Sequence, residues 1–346
     1  MDHSVIAEQP DDSASRRTLS VVVPVYNEQD VLAEFHRRLG AVLDRLSLAS
    51  EIIFINDGST DGSLPALHSL RGRDRRIAIL DLSRNFGKEA AMTAGLDHAR
   101  GDAVVVIDAD LQDPPELIAE LVEHWRQGYD VVYAQRATRA GESPFKKATA
   151  YWFYRLIQRT NRVRIPVDTG DFRLLSRRAL NSLGRLRESN RFMKGLFAWI
   201  GHPQKAVPYR RDPRFAGSTK FNYWRLWNFA IDGFTSFTVA PLKIATYLGI
   251  IIAGYAFIYA SWLIVRTLLH GDPVRGYPSL MVVILLLGGV QLITIGVLGE
   301  YVGRMFAETK QRPLYLLNEY VPSEVASFDM ERNSATRSAT LDSSQR

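Results

Sequence analysis

Two long stretches without a charged residue dominate the last third of the chain. Ile244 to Val265 gives 22 residues between Lys243 and Arg266, and Gly276 to Gly299 gives 24 between Arg275 and Glu300. A bilayer core is crossed by about 20 apolar helical residues, so each stretch is long enough to span. Ten of the first 22 are Ile, Leu, Val or Phe. At the centre of a helix these contribute about −3 to −6 kcal/mol toward insertion, with no charge opposing them. The sequence therefore predicts two transmembrane helices at about 244–266 and 277–300, within a segment 243–304. The connection Thr267 to Arg275 carries little positive charge, whereas the outer flanks hold Arg304, Lys310 and Arg312. Positive charge favours the cytoplasmic side, which predicts a multi-pass protein of the cell inner membrane with both termini and the large domain in the cytoplasm.

Just upstream, Phe221, Trp224, Trp227, Ile231 and Phe234 recur at steps of three or four. That spacing predicts amphipathic helix over 221–242, lying in the membrane interface. Residues 1–18 are polar and lack an apolar core, so they read as a disordered arm without a secretory signal. Residues 322–346 hold eight Ser/Thr and few bulky apolar groups. They read as a disordered tail closing a cytoplasmic segment 305–346.

Residues 19–220 read as one α/β catalytic domain. Leu19 to Pro24, Glu51 to Asn56, Ile77 to Leu82, Ala103 to Ile107 and Asp130 to Ala134 are short apolar runs. Helical spacing separates them, over Val31 to Leu46, Lys88 to Ala99 and Leu117 to Trp125. Continuous apolar strands alternating with helices imply a mostly parallel sheet covered on both faces. Ligands bind such sheets beyond the carboxyl ends of the strands. Polar clusters sit at those ends: Tyr26-Asn27-Glu28, Asp57, and Asp108 to Asp113.

The 43 Lys and Arg exceed the 37 Asp and Glu, for a net charge of +6. The excess is local, with eleven Lys/Arg against three Asp/Glu over 136–178 and six against one over 203–225. Positive charge against membrane segments points to phosphates and anionic lipid; no nucleic acid is expected. With no cysteine there is no thiolate metal site and no cysteine nucleophile.

The sharpest chemical signal is Asp108-Ala109-Asp110-Leu111-Gln112-Asp113. Alternate carboxylates after a buried strand can aim oxygen ligands at one hard cation, Mg²⁺ or Mn²⁺, that also binds substrate phosphates. An isolated D-x-D is more often a solvated turn. Here it has company. With Pro24-Val25-Tyr26-Asn27-Glu28 and Asp57-Gly58-Ser59-Thr60-Asp61 it resembles the successive signatures of family 2 glycosyltransferases with a GT-A fold. Arg84-Asn85-Phe86-Gly87-Lys88 and Asp168-Thr169-Gly170-Asp171-Phe172-Arg173 are similar to the polyprenyl-phosphate branch. That branch holds bactoprenol glucosyltransferases and dolichol-phosphate mannose synthases. The resemblance runs over roughly residues 19–318.

The resemblance implies roles. Pro24, Tyr26, Glu28, Asp57 and Lys88 would line the nucleotide-sugar pocket, with Asp57 facing the base or ribose. Asp108 would support the nucleotide sugar, and Asp110 and Gln112 would hold the metal at the diphosphate. Arg136 would receive the lipid phosphate, with Lys147 nearby. It also implies a homo-oligomer, a tetramer. On physical grounds two anionic substrates need cations between them, and Arg136, Lys147 and Arg173 could serve; the same residues would equally suit a basic face for lipid headgroups. Asp171 fits a sugar-hydroxyl or acceptor contact and catalysis, or else an ion pair that organises its loop. Arg211, Arg214 and Lys220, around Gly217-Ser218-Thr219, form a flexible basic loop that could close over the diphosphate or simply attract headgroups.

The expected activity is inverting transfer of one hexose, glucose from UDP-glucose, to polyisoprenyl (undecaprenyl) phosphate. GDP-mannose and a UDP-aminopentose are alternative donors. A non-catalytic nucleotide-binding membrane scaffold is the rival class. No processive-synthase Q-x-x-R-W signature occurs, which favours one sugar per lipid.

Overall fold

The computed structural model describes residues 17–46, 48–136, 169–189, 191–209 and 276–325, with scattered positions between Tyr247 and Leu269. These residues form two compact units. The first takes its described residues from 17–136, 169–209 and 313–325, and the second from 247–312.

The first unit is built on an eight-stranded sheet: β1 (Thr18–Val25), β2 (Ala49–Asn56), β3 (Ile77–Leu82), β4 (Ala103–Val106), β5 (Val131–Arg136), β6 (Thr169–Ser176), β7 (Gln204–Tyr209) and β8 (Leu317–Val321). Their spatial order is β7-β5-β6-β4-β1-β2-β3-β8. Four of the seven pairings are parallel: β1 with β2 and β4, β2 with β3, and β5 with β7. β6 runs antiparallel between β4 and β5, and β8 runs antiparallel along β3. The mostly parallel α/β sheet expected from the sequence is thus present.

Among the described residues, helices α1 (Leu32–Leu43), α2 (Ser63–Arg71), α3 (Lys88–His98), α4 (Ile118–Arg126), α5 (Arg177–Leu183) and α6 (Met193–Trp199) also belong to this unit. α1 buries Leu32, Phe35, Leu39, Val42 and Leu43, a stripe with steps of three and four. Phe35 meets Phe54 of β2 edge to face, ring centroids 6.2 Å apart. Burying each such side chain is worth roughly 1.5–3 kcal/mol. α3 lies so close to β1 and β2 that a Cβ on Gly95 would stand 2.6 Å from Ile55 Cδ1. α4 is preceded by a 3₁₀ turn over Pro115–Leu117, so the helical spacing from Leu117 begins in a tighter turn.

Three strands have no counterpart in the sequence reading: β6, β7 and β8. β8 falls inside the expected cytoplasmic segment 305–346, just ahead of the tail expected from residue 322. Buried Glu51 of β2 ties the residue two past β8 to the interior of the sheet, since its carboxylate accepts from Ser20 Oγ (2.6 Å), the Arg100 amide (3.0 Å) and Ser323 Oγ (3.1 Å).

In the second unit, α7 (Tyr277–Thr309) starts where the second span is expected but continues past residue 300. Its 33 residues extend about 50 Å at 1.5 Å per residue, more than a bilayer core requires. Among the described residues it supplies one stretch, Leu286–Thr309, long and apolar enough to cross a membrane. Leu292, Ile293 and Ile295 are all more than 60% exposed. The expected first span falls on residues described only in part, and those described between Tyr247 and Leu269 are helical. The interfacial helix expected over 221–242 lies outside the described residues, as do residues 1–16 and 326–346.

Candidate active site

Strand direction gathers the site. β1, β2 and β4 run parallel, so their carboxyl ends deliver Tyr26, Asp57 and Asp108 to one edge of the sheet. β6 runs the other way, so its beginning reaches the same edge; Arg173 pairs with Val106, leaving Asp171 just beyond the end of β4. β5 and β7 end there as well, with Arg136 opposite Tyr209.

Asp57 is buried and accepts hydrogen bonds from the backbone N–H groups of Phe86 (2.7 Å) and Gly87 (3.0 Å). Burial pushes its carboxyl above the usual range, against the pull of those two donors and of Arg84. Its neighbour Gly58 has φ +63° and sits against the backbone of Arg84 and Asn85. The turn after β1 is stitched to this one. The Asn27 amide donates to Ser59 Oγ (3.1 Å), and Asn27 Oδ1 accepts from the Thr60 amide (2.8 Å). Half-exposed Tyr26, with Pro24 and Glu28, therefore stands beside the Asp57 turn.

At the centre, Lys88 Nζ donates to Asp108 Oδ2 (2.7 Å) and to Asp171 Oδ2 (2.6 Å). Burial pulls the ammonium's proton affinity down, but the two carboxylates outweigh it and Lys88 stays charged. Asp171 is nearly enclosed. Burial would raise its carboxyl, yet Lys88 and Lys194 hold it down to about 2. Glu89, whose carboxylate accepts from the Met193 amide (3.3 Å), is pushed up to about 7 by burial and by Asp171.

The acidic motif turns sharply. Leu111 is buried at φ +58°, a left-handed conformation costing a leucine about 1–2 kcal/mol. That turn tucks Leu111 inward and leaves Asp110 and Gln112 half-exposed on either side. The Gln112 amide donates to Asp110 Oδ1 (3.1 Å). Among the described residues no group of three or more His, Asp or Glu side chains is gathered for a metal ion. Asp110 and Gln112, two half-exposed oxygen-bearing side chains, fit instead a divalent cation whose remaining ligands would be phosphate and water.

Arg136 is half-buried among Tyr209, Asp113 and Asp108. Desolvation lowers its basicity, but the bond to Tyr209 and the two carboxylates more than restore it. Its Nε has no hydrogen-bond partner among the described residues. Tyr209 donates to Asp113, and burial together with that carboxylate raises the phenol, so it stays protonated.

Arg173, expected to face the acceptor phosphate, is instead buried. It is 4% exposed, its guanidinium lies 3.8 Å from the Phe197 ring centroid, and it donates to the Gly170 (2.8 Å) and Asp171 (3.3 Å) carbonyls. Burial brings it down to about 10. This side chain shapes the Asp171 turn from inside and offers no surface to an acceptor. Lys147, Asp168, Arg211, Arg214 and Lys220 lie outside the described residues. Glu89, Lys194 and Tyr209 were not legible as site residues; Glu89 alone carried a hint, as the neighbour of Lys88 at a helix start.

An acidic strand-end turn, a lysine shared by two carboxylates and a half-buried arginine thus lie at one edge of a mostly parallel α/β sheet. The chain belongs to glycosyl transferase family 2, whose model matches residues 20–184; the GtrB C-terminal hairpin model matches residues 240–305. It is 55% identical over 311 residues to an uncharacterized glycosyltransferase of Synechocystis sp., covering 88% of this chain and 98% of that one. It is 48% identical over 299 residues to the prophage bactoprenol glucosyl transferase homolog of Escherichia coli, covering 86% and 98%. The bactoprenol glucosyl transferase of Shigella phage SfV is also 48% identical over 299 residues, covering 86% and 97%.

Proposed function

We propose that this glycosyltransferase transfers a single glucose from UDP-glucose to polyisoprenyl phosphate, with inversion, at the cytoplasmic face of the inner membrane. The observation that carries the reading is the near-full-length likeness to proteins named bactoprenol glucosyl transferases, hairpin included.

The chemistry of the site supports it. The acceptor is a phosphate, already anionic at neutral pH, so no strong base is required. Asp171, held near 2, is a poor base and suits a reaction that needs none. As the bond from C1 of the sugar to the diphosphate breaks, the acceptor oxygen forms its bond from the opposite side, and an α-linked donor gives a β-linked product. Asp110 and Gln112 would hold Mg²⁺ or Mn²⁺. When bound, the cation supplies positive charge that stabilises the departing diphosphate. Lys88, fixed by Asp108 and Asp171, presents a second charge already oriented, which favours the transition state over the ground state. Arg136, whose buried Nε has no partner among the described residues, is the acceptor-phosphate residue in this reading; Lys147 and the basic loop with Arg211, Arg214 and Lys220 are further candidates. Tyr26, Glu28 and Asp57 hold the nucleotide. The two spans, the interfacial helix and a homotetramer belong to the same reading.

The test incubates the purified full chain with polyprenyl phosphate, Mn²⁺ or Mg²⁺, and UDP-glucose, GDP-mannose or a UDP-aminopentose in turn. Mass spectrometry should find one glucose on the lipid. A lipid left unmodified by every donor refutes the reading; another sugar on the lipid corrects the donor alone.

A further inference from the structure

The strand that closes the sheet also grips both loops around Asp57. β8 pairs with β3 at Val321 with Ile79, Tyr320 with Leu80 and Glu319 with Asp81; the register then slips, and Leu317 pairs with Leu82. Asn318 is the extra residue at that slip. Bulges of this kind re-aim a side chain, and they recur beside active sites.

Here the bulge turns Asn318 onto a buried carboxylate. Asn318 Nδ2 donates to Asp81 Oδ2 (2.8 Å), and Asn56 Nδ2 donates to Asp81 Oδ1 (2.7 Å). Asn56 Oδ1 accepts in turn from the Ser59 amide (3.3 Å). Asp81 and Asn56 are 5% and 2% exposed, so water cannot replace a lost partner. The ladder fixes both amide orientations, because only the Nδ2 groups can serve a carboxylate. It ends at Ser59, on the turn that carries Asp57. A second tie runs beside it: the Ser83 amide donates to the Leu316 carbonyl (2.9 Å). Ser83 opens the loop whose Phe86 and Gly87 amides hold Asp57.

We propose that segment 316–318 is a strap that positions the nucleotide site, with Asn318 as its positioning residue. This rests on reading Asp57 as a nucleotide contact. Asn318 touches no substrate; it fixes the 57–59 turn through Asp81 and Asn56.

The test uses the full chain and isothermal titration with UDP and with GDP, each with Mn²⁺, alongside donor and acceptor kinetics. Asn318→Ala should weaken binding of whichever nucleotide the wild type takes by about five- to tenfold, a fraction of the tenfold or more that one hydrogen bond to a charged group is worth, because Asn318 acts only through Asp81 and Asn56. Donor KM should rise by the same factor, while kcat at saturating donor and acceptor KM stay within about twofold. Asn318→Ser, which also cannot reach Asp81, should do the same and stands in if the alanine variant fails to fold. Arg75→Ala, which frees the Glu324 side chain six residues past Asn318, should leave donor affinity within twofold of wild type. Nucleotide affinity within twofold of wild type in Asn318→Ala, or an equal loss in Arg75→Ala, overturns the strap. Asp57→Ala separates the two readings. If it leaves nucleotide affinity intact, or if the wild type binds neither nucleotide, the pocket reading falls and takes the strap with it. If Asp57→Ala loses affinity and Asn318→Ala does not, only the strap falls.

Discussion

Gly58→Ala tests how tightly the Asp57 turn is built. Gly58 sits at φ +63°, where a side chain costs about 1–2 kcal/mol. Its added Cβ would stand 2.5 Å from the Asn85 nitrogen and 2.6 Å from the Arg84 carbonyl carbon, both backbone atoms that cannot rotate away. The 84–87 loop must withdraw by roughly an ångström, since packed interiors leave no slack. That stretches the 2.7 and 3.0 Å bonds from Phe86 and Gly87 to Asp57, each worth about 1.5–3 kcal/mol because the acceptor is charged. The expected loss is roughly 3 kcal/mol or more in stability, with at least about tenfold in nucleotide affinity. Gly128→Ala is the matched control: φ is +98° but nothing lies within 4 Å of its Cβ, and it precedes β5 at the opposite edge of the sheet. It should lose about 1–2 kcal/mol and no affinity. Chemical denaturation and titration with UDP and Mn²⁺ read both quantities. If the two variants lose equal stability and both keep wild-type affinity, the close approach of the 84–87 loop does not hold Asp57.

Four further outcomes follow from the site and its surroundings. Lys88→Met should lower kcat/KM by about a hundredfold or more, because the departing diphosphate loses a positive charge held in place by Asp108 and Asp171; a variant within tenfold of wild type contradicts this. Glu89 has its folded-state carboxyl raised above 4.5, so it costs stability as pH rises through about 7; Glu89→Gln should raise Tm at pH 8 and not at pH 4. A gain that is the same at both values refutes the burial argument. Asp74, despite burial, is held down to about 2 by Arg76 and His36, a contribution of about 1–2 kcal/mol after solvent screening. It is present above pH 4 and lost toward pH 2, and Asp74→Asn should flatten acid denaturation in that window. Asp110→Ala should abolish Mn²⁺-dependent transfer with Tm within about 2 °C of wild type; undiminished transfer would remove Asp110 from the metal reading.

What the sequence made legible follows from how each element is stabilised. β1 to β4 are buried on both faces and announce themselves as apolar runs; Ile77 to Leu82 matches β3 residue for residue. β6 begins Thr169-Gly170-Asp171 and carries Arg173, whose charge is hidden only because Phe197 lies under it. β7 contains Pro208, and β8 is held by pairing and by Asn318 rather than by an apolar face. The acids after β2 and β4 were readable because strand ends advertise them. The contact between Lys88 and Asp171 spans 83 residues and exists only because β6 runs antiparallel, which no local pattern records.

The last strand of the sheet is also the last to be made. Some 235 residues separate Leu82 from Leu317, so with a ribosome working at about 5–20 residues per second β3 waits roughly 12–47 s for β8 to emerge. Until then the nascent chain carries β3 as an open edge, a template for mispairing, with one Asp81 oxygen lacking its Asn318 partner. Chains that stop short of β8 keep that edge permanently, so translation arrest before Leu317 should yield aggregating polypeptide rather than a lightly trimmed enzyme.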